Sequence, residues 1–269
     1  MKTVTEKIGG NEMLLTGYIH DPHYSMPDYD KRPAVLILGG GGYEFVAFRE
    51  KEPVAAAFYM KGYQAFTLMY STVEKAAGMM PMYELATAIK LMREKCEEWC
   101  ILPDKIAVCG FSAGGHLAGC SGIMPDNAIF TEKFGFNDTE EIRSNAMILC
   151  YPVITSGKFA HKGSINTLMA GETNDALKEA FSLEKNVSEK TPPTFMWHAA
   201  DDACVPVENS LLMASALSAK KVPFELHVFH EGGHGASMCT NEVGRKDEHC
   251  AHWFELCCEW LNSTFDFRS

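Results

Sequence analysis

Between residues 105 and 120 the chain changes its periodicity within a few positions. Lys105-Ile106-Ala107-Val108-Cys109 has the apolar run of a buried strand, and Ala113 to Cys120 reads as a helix. Gly110-Phe111-Ser112-Ala113-Gly114 joins them. A strand that passes into a helix through G-x-S-x-G holds its serine on a sharp, strained turn with the hydroxyl exposed. Small residues are needed on either side, because a Cβ at Gly110 or Gly114 would crowd the turn. At the start of the helix the Ala113 amide points toward a developing oxyanion, with the helix dipole behind it. The segment also approaches a phosphate-binding loop through Gly110 and Gly115. His116 and Leu117 stand where that loop needs lysine and serine or threonine, so the phosphate reading fails.

The same strand–helix alternation runs along the chain and predicts an α/β fold, with a mostly parallel central sheet flanked by helices on both faces. Strands are expected at Met13 to Ile19, Ala34 to Leu38, Tyr63 to Met69, Lys105 to Cys109, Ala146 to Tyr151, Thr194 to Trp197 and Pro223 to Phe229. Helices are expected at Pro53 to Lys61, Met82 to Trp99, Ala113 to Cys120, Val207 to Ser218 and around His249 to Leu261. No repeat or linker divides residues 1–269, which read as a single domain. Thr155 to Pro193 is more polar, with one helix at Asp175 to Phe181. It is either a small cap beside the site or an ordinary surface crossover.

Composition narrows the function classes. A net charge of −11 disfavours nucleic acid and anionic membranes, which attract clustered lysine and arginine. The amino terminus has no apolar signal region, and the apolar run Ala34 to Leu38 is only strand-sized. Ten scattered cysteines in a chain of this length read as buried free thiols in a reducing compartment, so a cytoplasmic location is expected. Their spacing lacks C-x-x-C, and His249, Cys250 and His252 lack a metal-site spacing, so neither metal nor cofactor is expected.

Gly39-Gly40-Gly41-Gly42-Tyr43 follows the strand ending at Leu38. A dinucleotide loop would need glycine where Glu44 and Phe45 stand, whereas a glycine turn beside a serine nucleophile can aim backbone amides at an alkoxide. For the acid, Asp202 lies four residues after His198 and four before Pro206. Asp201 is the alternative, or a loop or helix-capping residue. For the base, His234 sits in Gly232-Gly233-His234-Gly235, downstream of the acid, where a glycine-flanked loop lets it meet Ser112. His227 and His230 belong to a strand and its end, and His116 is expected to pack or hydrogen-bond within its helix.

These residues together resemble the acetyl-xylan-esterase-like carbohydrate esterases of the α/β-hydrolase superfamily, relatives of the hormone-sensitive-lipase-like esterases. The resemblance runs from Pro33 to Leu261. It is carried by Gly40-Gly41-Gly42-Tyr43, Glu52-Pro53-Val54-Ala55, Cys109 to Ala118, Tyr151-Pro152-Val153-Ile154, Thr191-Pro192-Pro193 and Trp197 to Ser210. It implies Ser112 as nucleophile, Asp202 as acid and His234 as base, with Gly41, Gly42 and Ala113 supplying the oxyanion amides. Gly39 replaces the histidine that opens the H-G-G-G motif of the lipase-like relatives.

The expected activity is serine carboxylesterase chemistry that removes short acyl groups, especially acetyl, from sugar esters such as acetylated xylo-oligosaccharides. Tyr43 is expected to contact substrate. The partner is then a small-molecule or oligosaccharide ester, with no nucleic acid or membrane, and the chain is a monomer or a homo-oligomer. A feruloyl esterase or arylformamidase with the same triad is the alternative; Tyr43, Phe111 and the methionines at 60, 69, 79, 80 and 82 then either line an aromatic slot or fill the core. A non-catalytic binding module on the same fold is disfavoured, because serine, acid and base are all present.

Overall fold

Four apolar runs without polar alternation become strands with water on neither face, and they set the plan of the molecule. The computed structural model describes residues 1–25, 29–243 and 246–267. Its strands are β1 (Lys2–Ile8), β2 (Met13–Ile19), β3 (Arg32–Leu38), β4 (Gln64–Leu68), β5 (Ile101–Phe111), β6 (Ala146–Cys150), β7 (Thr194–Ala199) and β8 (Phe224–Phe229). β3, β4, β6 and β7 are buried along their whole length. All eight strands join one sheet in the order β1-β2-β4-β3-β5-β6-β7-β8. β2 pairs antiparallel with β1 and β4, and every other pairing is parallel. This is the mostly parallel α/β sheet expected from the alternation of strands and helices, in the α/β-hydrolase arrangement that the resemblance implies.

The helices are α1 (Glu52–Met60), α2 (Met80–Glu94), α3 (Ala113–Ile123), α4 (Ala128–Phe134), α5 (Lys162–Met169), α6 (Asp175–Ala180), α7 (Glu208–Ala219) and α8 (Trp253–Phe265). They cover both faces of the sheet, and β3 shows how one strand serves both. Ala34, Leu36 and Leu38 join a core with α2, α3 and α7, while Val35 and Ile37 join a second core with α1 and α8. α3 is buried at every residue, which accounts for its lack of a polar stripe.

Several boundaries differ from those expected. Among the described residues β1 is an edge strand that pairs with β2 alone, and Val4 and Ile8 are too sparse a pattern to mark it. α2 ends at Glu94 rather than Trp99, because the chain turns so that Trp99 is buried and Ile101 pairs with Arg32. The last helix begins at Trp253 after a 3-10 turn at Cys250–His252. Residues 155–193 carry α5 as well as α6, and α5 packs on the 3-10 turn Val73–Met79. The segment therefore forms part of the crossover from β6 to β7.

His116 is fixed inside this frame. Its Nδ1 accepts a hydrogen bond from the Tyr43 hydroxyl at 2.8 Å, and its Nε2 donates to the Phe181 carbonyl at 3.0 Å. Burial lowers its pKa to about 4, with the bond to Phe181 opposing the shift. The unfolded chain thus binds this proton more readily between pH 4 and about 6.5. The stabilising contribution is complete above that window and is lost as pH falls through it, at roughly 1.4 kcal/mol per unit. Chemical denaturation at pH 7 and pH 4.5 should show this loss, and His116→Gln, which keeps a donor and an acceptor, should reduce the slope.

Candidate active site

Ser112 follows directly on the last residue of β5 and precedes the first residue of α3, with φ 55° and ψ −119°. This is a strained conformation for a residue with a side chain. Its backbone is held on both sides: the amide donates to the Cys150 carbonyl at 3.0 Å, and its carbonyl accepts from His116 and Val153 at 3.1 Å each. The turn closes because two side chains are missing. A Cβ on Gly110 would collide with the Gly114 carbonyl, and one on Gly114 would collide with the carbonyls of Leu38 and Gly39. α3 can therefore start in contact with the carboxyl ends of β3 and β5.

Asp202 and His234 reach the same point from the loops after β7 and β8. The Asp202 side chain is fully buried. Its Oδ1 accepts from the amides of Cys204 and Val205 at 2.9 Å each, and its Oδ2 accepts from His234 Nδ1 at 2.7 Å. His234 Nε2 lies 2.8 Å from Ser112 Oγ. With the ring proton on Nδ1 facing the carboxylate, Nε2 is the acceptor and the serine hydroxyl donates. Burial acts to raise the Asp202 pKa. Hydrogen bonds from His198 and His234, the charge of His234 and the Val205 amide outweigh it and hold the group below the usual carboxylate range. His198, named only as a landmark in sequence, lies 3.3 Å from Asp202 Oδ2 and donates to the Val205 carbonyl.

Asp201 has a different role from helix capping. Its Oδ1 accepts from the Gly233 amide at 2.8 Å and ties the loop carrying His234 to the loop carrying the acid. Tyr151 packs edge-on against the His234 ring at 5.1 Å.

The glycine turn lies beside Ser112. Gly41 has φ 121°, and a Cβ there would strike the Phe45 carbonyl, so only glycine fits. Among the described residues, the Gly41 and Gly42 amides donate to no protein acceptor. Gly40 does donate, to Glu50 Oε2 at 2.7 Å. Glu50 Oε1 accepts from the Tyr151 hydroxyl at 2.7 Å, and that hydroxyl accepts from the Ser237 amide at 2.8 Å. Ser237 Oγ returns to the Arg49 carbonyl at 2.7 Å. One buried carboxylate thus couples the glycine turn, the end of β6 and the histidine loop. In sequence, Glu50 stands among Arg49, Lys51 and Glu52, a charged run that gives no sign of burial.

An open cleft of about 730 Å³ leads to Ser112 and His234. Tyr43 does not contribute to its wall. The turn at Gly42 sends Tyr43 inward, where it is wholly buried on His116, and burial pushes its phenol pKa well up. Phe111 is likewise buried, against Tyr151 and Trp253, and Met79 and Met82 are core residues. Tyr43, Phe111, Met79 and Met82 are therefore packing residues, whereas Met60 is exposed. The wall is made instead by Phe45, Phe48, Arg49 and His161, which sequence reasoning did not single out. His161 comes from the segment 155–193, at the start of α5.

Residues 23–217 match the family model described as BD-FAE. The chain belongs to the BD-FAE family of α/β hydrolases. It is similar to an acetyl ester-xyloside bifunctional hydrolase from Caldicellulosiruptor lactoaceticus, with 35% identity, a TM-score of 0.83, and coverage of 96% of this chain and 90% of that one. It is 36% identical over 233 residues to an endo-1,4-beta-xylanase B of Butyrivibrio fibrisolvens, covering 85% of this chain and 35% of that protein. An acetylxylan esterase of Xylanibacter ruminicola is 27% identical over 220 residues, with 80% of this chain and 43% of that protein covered. The chain thus spans less than half the length of these two relatives.

In this BD-FAE site Glu50 can be tested directly. Glu50→Gln keeps the shape but turns an amide donor toward either Gly40 N–H or the Tyr151 hydroxyl. On an ester substrate, kcat should fall by at least about tenfold with little change in KM, as expected for loosened oxyanion donors.

Proposed function

We propose that the protein is a serine carboxylesterase that removes short acyl groups, chiefly acetyl, from sugar esters such as acetylated xylo-oligosaccharides. The observation that carries this reading is the continuous chain Ser112 Oγ–His234 Nε2 and His234 Nδ1–Asp202 Oδ2, at 2.8 and 2.7 Å. Ser112 Oγ attacks the ester carbonyl while its proton passes to His234 Nε2. Asp202 stays ionised, orients the ring and stabilises the imidazolium. The amides of Gly41, Gly42 and Ala113 receive the oxyanion, each such donor being worth about 3–4 kcal/mol in the transition state. His234 returns its proton to the departing sugar hydroxyl, leaving an acyl-serine. It then deprotonates the water that releases the carboxylic acid.

The sugar-ester part is supported by the similar proteins whose names include an acetylxylan esterase and an acetyl ester-xyloside hydrolase. The cleft is open and mixed in polarity, as suits a neutral polyhydroxylated alcohol better than a long acyl chain. With acetylated xylo-oligosaccharides, acetate release should be rapid in the wild type and should fall by at least about three orders of magnitude in Ser112→Ala. Hydrolysis of p-nitrophenyl acetate without action on the sugars would leave the chemistry standing and remove the carbohydrate assignment.

A further inference from the structure

We propose that Phe45 and Phe48 form a stacking platform for the pyranose ring of the alcohol half of the ester. This rests on the esterase reading above and specifies which part of the substrate the cleft recognises. Phe45 is 59% exposed and Phe48 is 69% exposed, yet both border the cleft that holds Ser112. Exposed apolar side chains that line one cleft are the kind of patch found at ligand-binding grooves.

Both rings are carried on a fixed backbone. Phe45 follows the glycine turn, where its amide donates to Gly41 O at 3.3 Å. Phe48 starts the 3-10 turn Phe48–Glu50, whose last residue is held by Gly40 and Tyr151. Lys51 Nζ lies over the Phe48 ring, 5.6 Å from its centroid. The backbone that carries both rings is therefore tied to the glycine turn of Gly40 and Gly41.

The chemistry of the surroundings identifies the occupant. An acetyl group fills only a small part of about 730 Å³, so most of the cleft is available to the alcohol. The rings sit among Glu44, Arg49 and His161. His161 Nδ1 accepts from the Ser164 amide at 3.3 Å and lies 2.8 Å from Ser164 Oγ, so the neutral ring carries its proton on Nε2 as a donor. A pyranose offers an apolar C–H face to the rings and hydroxyls to these polar groups. A long acyl chain would need an unbroken apolar wall.

The experiment compares kcat/KM on acetylated xylotriose, methyl ferulate and ethyl acetate. It uses the wild type, Phe45→Ala/Phe48→Ala and Phe45→Tyr/Phe48→Tyr. The sugar-to-ethyl ratio should fall by about tenfold in the alanine pair, through KM, and return in the tyrosine pair. An unchanged ratio, or an equal fall in both pairs, overturns the platform. A loss confined to methyl ferulate overturns the sugar and assigns the rings to an aromatic acid. A wild type inert toward all three esters overturns the esterase reading instead. Calorimetric titration with xylotriose then decides the platform: binding that the alanine pair loses supports it, and no binding by the wild type overturns it.

Discussion

The site depends on one close crossing, where α3 begins against the ends of β3 and β5. At that crossing the carbonyls of Leu38, Gly39 and Gly114 occupy the space that side chains at positions 110 and 114 would need. The contact fixes where the helix starts, and so fixes Ser112 in a conformation that costs on the order of 1–3 kcal/mol. The hydrogen bond from the Ser112 amide to Cys150, and those from the His116 and Val153 amides to the Ser112 carbonyl, offset that strain. They also anchor the turn to β6, so Ser112 Oγ does not relax away from His234.

Around the turn, the polar groups are arranged before any substrate arrives. Asp202 accepts two backbone amides and the His234 ring, which keeps it charged although its side chain is buried. Glu50 does the matching job for the glycine turn, holding Gly40 and, through Tyr151, the Ser237 amide. Burying two carboxylates is tolerable because each is satisfied by several donors. The result is a serine, a base and free amides held at short range by groups that need not move during reaction.

Much of this was legible in the sequence because it depends on local patterns. The apolar runs of β3 and β6 and the elbow from Gly110 to Gly114 follow from short-range constraints, and the order of Ser112, Asp202 and His234 from the family resemblance that the elbow anchors. β1 was not legible, since an edge strand needs little apolar content. Glu50, His161 and the tie that Asp201 makes to Gly233 were missed for another reason: each works through a partner about 10 to 100 residues away in sequence, or through a cleft wall that only the fold assembles. Tyr43 shows the reverse error: it was expected to contact substrate, but the positive φ of Gly42 turns it into the core and leaves Phe45 on the surface.

The most direct measurement is intact-mass and peptide-mapping analysis after exposure to a fluorophosphonate, which reacts with activated serines. One adduct per chain on Ser112, formed rapidly in the wild type and slowed strongly in His234→Ala, is the expected result. An unlabelled protein, a label on another residue, or equal labelling of Ser112 in His234→Ala would contradict a His234-activated nucleophile.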